Sequence, residues 1–243
     1  MRRQARGISV RREDLEEIRL LLNSIMNGGI RGLIVTLLLT LPAIVLCLSV
    51  HETCHGLAAY ALGDRTAASQ GRLTLDPMAH IDPMGFLCML FLGFGWARPV
   101  PVNCANFKNR RTGMAIVAAA GPASNFVLGF IGYFVYFAVT YFTADFTGVP
   151  GLFTWVIGQF FRYLASLSIG LGAFNLLPVY PLDGSRIVDA FLPLRWSMKL
   201  REYQSVLLLG LVALMWFGGT SILIGTVNQW VFRAAYGLFT LFV

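Results

Sequence analysis

The sequence predicts an all-α polytopic membrane protein with about four to six transmembrane helices and a short β-containing re-entrant region. Three observations carry this. The chain of 243 residues is 56% hydrophobic and only 13% charged, with a mean hydropathy of +0.67, too apolar for a soluble domain. Two long segments, Gly32 to Val50 and Met114 to Phe142, carry no charged residue. Directly after the first of them stands His51-Glu52-Thr53-Cys54-His55, a set of ionisable groups too costly to leave uncompensated in hydrocarbon, where a functional site is the default reading.

Taken in order, residues 1–31 form a basic amino-terminal segment. Glu13 to Leu22 has the mixed character of an amphipathic helix on the membrane surface. No cleavable signal peptide is visible, because the first apolar run is long and lacks a small-residue cleavage site. The first span is expected from Gly32 to Leu62, kinked near Pro42 and ended by Gly63-Asp64. At 1.5 Å per residue, His55 lies roughly 10 Å before that end, shallow enough for water to enter from one side.

Between spans, Gly71 to Asp76 alternates as a short strand would, expected either to pair at its edge with an unwound substrate or to pair only within the protein. Met84 to Trp96 is apolar but too short to cross, hence re-entrant or interfacial. The second span, Met114 to Phe142, should be interrupted in its first third by Gly121-Pro122-Ala123-Ser124-Asn125. Small residues there permit close helix approach, and Asn125 needs a partner. A third span ends in Asn175-Leu176-Leu177-Pro178-Val179-Tyr180-Pro181-Leu182-Asp183-Gly184, where two prolines forbid a regular helix. Irregular backbone at that depth is tolerated when it lines a wet cavity or is buried in protein. A fourth span is expected over Ser205 to Val227, followed by an apolar carboxy-terminal segment, 228–243.

The net charge of +7 bears on loop orientation rather than on nucleic acid, since no basic stripe interleaved with aromatics appears. Loops holding Arg65 to Arg111 and Arg186 to Arg201 carry most of the basic residues between spans, whereas Thr143 to Gly151 has none. The motif-bearing ends are therefore expected to face the cytoplasm. The seven arginines up to Arg31 oppose this unless the amino-terminal segment folds back. Cys47, Cys54, Cys88 and Cys104 form no paired motif, so neither a disulfide framework nor a zinc ribbon is expected.

His51 and His55, four residues apart, share a helix face as a tetrahedral zinc ion requires of a single element. Glu52 is placed to take a proton from water activated there. Cys54 is turned off that face and reads as a small buried hydrophobe. A third protein ligand is usual. Glu202 is the only glutamate after Glu52 and sits in a basic loop; His80, between Asp76 and Asp82, reads as a solvated or loop-bracing histidine. Asp183 alone among the aspartates follows a long apolar span and a proline-broken stretch, which makes it the best candidate.

These residues resemble the site-2 protease family of intramembrane zinc metalloproteases. His51 to Gly56 is similar to its zinc motif, and Asn175 to Gly184 to its second motif. Gly71 to Gly85, Gly95 to Asn103 and Gly121 to Asn125 resemble the short bacterial branch, without PDZ or CBS domains; Cys104 stands where that pattern would have proline. The likeness covers 32–227, the expected metalloprotease core. It implies one Zn2+ per chain on His51, His55 and Asp183, with Glu52 as general base and later acid, and Asn175 holding the substrate or the tetrahedral intermediate. It further implies a transmembrane protein substrate cut within the lipid bilayer of a bacterial cell membrane, in regulated intramembrane proteolysis. Oligomeric state stays open. The rival readings are a metal-ion transporter and a catalytically inactive scaffold. Transport would not need Glu52 and no inverted repeat is apparent; a scaffold would usually have lost one of the four residues.

Overall fold

The computed structural model describes residues 29–92, 96–147 and 151–243. The amphipathic helix expected over Glu13 to Leu22 lies outside them. The described elements are helices α1 (Gly29–Ala61), α2 (Thr66–Ser69), α3 (Pro77–His80), α4 (Pro83–Leu92), α5 (Arg110–Thr147), α6 (Leu152–Asn175), α7 (Asp183–Phe191), α8 (Leu194–Glu202), α9 (Gln204–Trp216) and α10 (Gly219–Phe239), with one 3-10 turn at Cys104–Asn106.

Three of these, α1, α5 and α6, are long and apolar enough to cross a membrane, and the pair α9 and α10 makes a fourth if it counts as one span. The expected four to six thus becomes three or four among the described residues. The fourth span is not the single rod expected over Ser205 to Val227: α9 and α10 are bent by 71° at Gly218, whose φ of +75° is a left-handed conformation natural to glycine. Helix α10 runs through Val227 without a break to Phe239. Pro122 does not interrupt the second span either, because α5 continues past it. Ser124 Oγ donates to Gly121 O at 2.7 Å there, one of the local adjustments that let a membrane helix carry a proline. Helix α1 likewise runs unbroken past Pro42.

Helices α5 and α6 form the most extensive pair; α1 packs on both, α10 closes the other side, and α7 lies on α5. The core is aromatic where α5, α6 and α10 meet, around Tyr133, Phe137, Ile169 and Phe239. It is small where α1 meets α6, at Ala43, Cys47 and Leu164. Between membrane helices the drive is close packing rather than release of water. At Gly132 a Cβ would stand 3.0 Å from Ala165 Cβ, so α5 and α6 touch almost backbone to backbone. Large apolar side chains instead face outward: Leu33, Leu38, Val127, Ile131, Phe153, Leu209 and Ile222 are exposed. So much exposed apolar surface on spanning helices belongs in lipid, and the chain is an integral membrane protein.

The connection from α1 to α5 contains no strand among the described residues, only an isolated antiparallel bridge between Ile81 and Ala97. The strand expected from Gly71 to Asp76 fails for a visible reason. Thr74 O, which a ladder would need, accepts from Thr53 Oγ1 at 2.6 Å and from His80 Nε2 at 2.7 Å. Helix α4, about 15 Å long at 1.5 Å per residue, is too short to span.

Asp64 anchors this connection. Fully buried just beyond the end of α1, its carboxylate accepts from Thr66 N at 3.1 Å, Thr66 Oγ1 at 2.5 Å, Asn103 N at 2.7 Å and Asn106 Nδ2 at 2.7 Å. Burial pushes its pKa up, but these donors outweigh burial and hold it below the ordinary carboxylate range. Removing the acceptor loses four hydrogen bonds to a charged group. Because Thr66 is half-buried and Asn103 and Asn106 are exposed, their donors regain water in part, so Asp64→Ala is expected to lower unfolding stability in detergent by about 3 kcal/mol. Because the folded pKa lies below the unfolded value of about 3.9, the contribution is complete above it and disappears as pH falls through the folded value. Denaturant titrations of both proteins should therefore differ at neutral pH and converge in acid below the ordinary carboxylate range.

Candidate metal centre

Helix α1 places His51 and His55 one turn apart with Glu52 beside them. The third donor arrives from beyond the end of α6. After α6 ends at Asn175, Pro178 and Pro181 prevent further helix. Short turns, Leu177 N to Phe174 O at 3.1 Å and Leu182 N to Val179 O at 2.8 Å, fold the chain back, with a cis Tyr180–Pro181 bond. Helix α7 then begins at Asp183. A side chain at Gly184 would run into the carbonyls of Leu176 and Leu177, so glycine is what lets α7 tuck beneath this turn.

The result is a small triangle of donor atoms. His51 Nε2 and His55 Nε2 are 3.0 Å apart, and Asp183 Oδ2 lies 3.1 Å from the first and 3.2 Å from the second. With zinc–ligand bonds of about 2.0 Å, the edge of a ligand tetrahedron is about 3.3 Å. The triangle therefore matches one face of a zinc site to within a few tenths of an ångström. The two rings meet edge-on at 90°. Asp183 lies directly against both imidazoles, and a carboxylate ligates a metal in its anionic form. Two nitrogens and one carboxylate oxygen are a donor set that suits zinc. His51, His55 and Asp183 are the group able to hold a metal among the described residues.

Helix α5 forms the wall behind both histidines. His55 Nδ1 lies 2.6 Å from Val117 O; a carbonyl can only accept, so Nδ1 carries the proton and Nε2 offers its lone pair to the triangle. A Cβ on Gly121 would stand 2.5 Å from His55 Nε2 and 2.7 Å from His51 Cε1. The small residues expected to permit close approach are thus used against the two candidate ligand histidines.

The cleft, about 170 Å³ in volume, is lined by all five residues singled out from the sequence, His51, Glu52, His55, Asn175 and Asp183, together with Pro99, Val100, Pro181 and Arg186. Glu52 Oε2 accepts from Val100 N at 2.9 Å, and Asn175 Nδ2 donates to Leu171 O at 3.0 Å. Val117, Val100 and Arg186 escaped the sequence reading. The first two act through backbone atoms, which have no sequence signature. Arg186 had one, since it lies three residues after Asp183 and hence on the same face of α7. Cys54 is not among the grouped donors. His80 is fully buried rather than solvated; it braces Thr74 and is no ligand of the group.

Residues 39–218, about three-quarters of the chain, match the family model described as peptidase family M50. The chain belongs to that family, the site-2 proteases. This M50 member is 40% identical over 162 residues to a Bacillus subtilis protein named "Putative zinc metalloprotease YwhC", covering 67% of this chain and 73% of the relative. It is 29% identical over 200 residues to "Putative zinc metalloprotease Rip2" of Mycobacterium tuberculosis, covering 80% and 70%. A shorter match, 30% over 90 residues, covers 37% of the chain and 23% of "Zinc metalloprotease MJ0392" of Methanocaldococcus jannaschii. No solved structure matches the chain.

Purified protein is expected to contain about one zinc per chain, as one three-donor group requires. Asp183→Ala and Gly121→Val should each lose most of it, the second by driving a side chain between the imidazoles, while His80→Ala should retain it. Metal analysis by plasma emission reads all three. Full zinc in the Asp183 variant, or loss confined to His80→Ala, would overturn the assignment.

Proposed function

We propose that this chain is an intramembrane zinc metalloendopeptidase of a bacterial cell membrane. It would hydrolyse peptide bonds in or near transmembrane segments of membrane proteins, as in regulated intramembrane proteolysis. The observation that carries this reading is that Glu52 shares one cleft with the three metal donors on a helix long and apolar enough to span. Membership in peptidase family M50 and the names of the relatives support it.

Zinc held by His51, His55 and Asp183 would supply Lewis-acid activation of water and of a peptide carbonyl. The chain's own residues do the rest. Val100 N–H occupies Glu52 Oε2, which fixes the carboxylate and leaves its other oxygen to take the proton from the attacking water. Glu52 then gives that proton to the leaving amide nitrogen, so base and acid are one group. Asn175 projects into the same cleft from the end of α6, where its carboxamide can hold the substrate backbone or the tetrahedral intermediate. A transmembrane substrate must first unwind, since a helix hides its peptide bonds in its own hydrogen bonds. The basic loops flanking the site support an opening toward the cytoplasm.

Glu52→Gln should keep zinc and fold yet lose cleavage of a helix-destabilised transmembrane reporter by about 10²–10⁴-fold, the usual worth of a general base. Normal turnover at normal zinc content would contradict the role of Glu52, and a zinc-loaded parent protein that cleaves nothing would favour a transporter. Single cysteines near Lys108 and Arg195 should be shielded from an impermeant thiol reagent in intact cells, and one near Asp145 labelled; the reverse pattern would turn the site outward.

A further inference from the structure

Asn125 is completely buried on α5, and its carboxamide faces His51, with Nδ2 3.2 Å from His51 Nδ1. Its other end, Oδ1, is a buried oxygen without a partner. In this orientation the amide donates to the ring, which requires a bare Nδ1 and, in a neutral imidazole, a proton on His51 Nε2. That proton would point into the triangle shared with His55 Nε2 and Asp183 Oδ2, where a zinc ligand must present a lone pair. Carboxamide oxygen and nitrogen are interchangeable by a half-turn. Turning the amide brings the unpartnered Oδ1 to His51 Nδ1, where it accepts the ring proton and leaves Nε2 free.

We propose that Asn125 is the positioning residue of the metal centre, its carbonyl fixing His51 in the zinc-binding tautomer as Val117 O fixes His55. The two oxygens are eight residues apart on α5, and Gly121 stands midway between them. Positions i, i+4 and i+8 form one stripe of a helix, so α5 presents carbonyl, gap and carbonyl to the His51 and His55 pair of α1. This inference rests on the zinc centre and not on catalysis. In either orientation His51 Nδ1 is the partner of this buried carboxamide, and only the turned amide leaves His51 Nε2 without a proton.

The test is zinc affinity of the full-length purified chain, measured by competition with a chromophoric chelator. Asn125→Leu, similar in size but without an acceptor, should bind zinc about 10–100-fold more weakly, as loss of a partner behind a histidine ligand does. Asn125→Asp, which keeps an acceptor, should stay within about threefold of the parent. Equal affinity in the leucine variant, or equal weakening in both, would overturn the proposal. A measurement on the unmodified protein guards against a variant that fails to fold. In zinc-loaded protein with ¹⁵N-labelled histidine, His51 Nδ1 should carry the proton, and a bare Nδ1 would refute the assignment. Neither readout uses cleavage, so a parent protein that binds zinc but cuts nothing would count against proteolysis alone.

Discussion

Two imidazoles and a carboxylate gathered inside a bundle of apolar helices set the terms for everything around them. Each would be costly to bury unpaired, and the triangle His51, His55 and Asp183 leaves little room for the usual remedy of solvation. A cation at its centre would offset the cost of all three at once. The surrounding helix α5 then has to come close enough to support the rings, which explains glycine at 121. It also has to supply acceptors for the outer ring nitrogens, met at His55 by Val117 O.

Two polar clusters outside the spans hold the walls of the cleft in place. Asp64 ties the end of α1 to the segment carrying Val100, and so to the backbone amide that orients Glu52. On the opposite side, buried Asp189 accepts from Ser197 Oγ at 2.6 Å, from Arg201 Nη2 at 2.9 Å and from Tyr180 OH. Arg111 of α5 reaches the carbonyls of Asp189 and Leu192 at the end of α7, where a cation also suits the helix dipole. These contacts fix the proline-broken turn and the start of α7, and hence Asp183. A metal centre assembled from residues 132 positions apart depends on such bracing, because ligands displaced by an ångström no longer share one ion.

The three side chains that come together as candidate metal donors each leave a local mark in the sequence: two histidines at helical spacing, and an aspartate after prolines that forbid helix. The first two spans were legible from uncharged length. What was misread turns on contacts made at a distance. Gly121-Pro122 looks like a break, but in α5 the local hydroxyl of Ser124 and neighbouring helices allow the helix to continue. Gly71 to Asp76 alternates like a strand, yet Thr53 and His80 capture the carbonyl of Thr74. The bend at Gly218 is carried by a glycine that uniform hydropathy across Ser205 to Val227 conceals. Backbone partners such as Val117 O and Val100 N cannot be read from side-chain letters at all.

The central claim is that one zinc ion sits on two imidazoles and one carboxylate, with no sulfur despite the cysteine between the histidines. X-ray absorption at the zinc edge of the purified protein tests it directly. The spectrum should fit four nitrogen or oxygen neighbours at about 2.0–2.1 Å, two of them with the outer-shell scattering of imidazole. A zinc–sulfur shell at about 2.3 Å, or a fit without two imidazoles, would contradict the account.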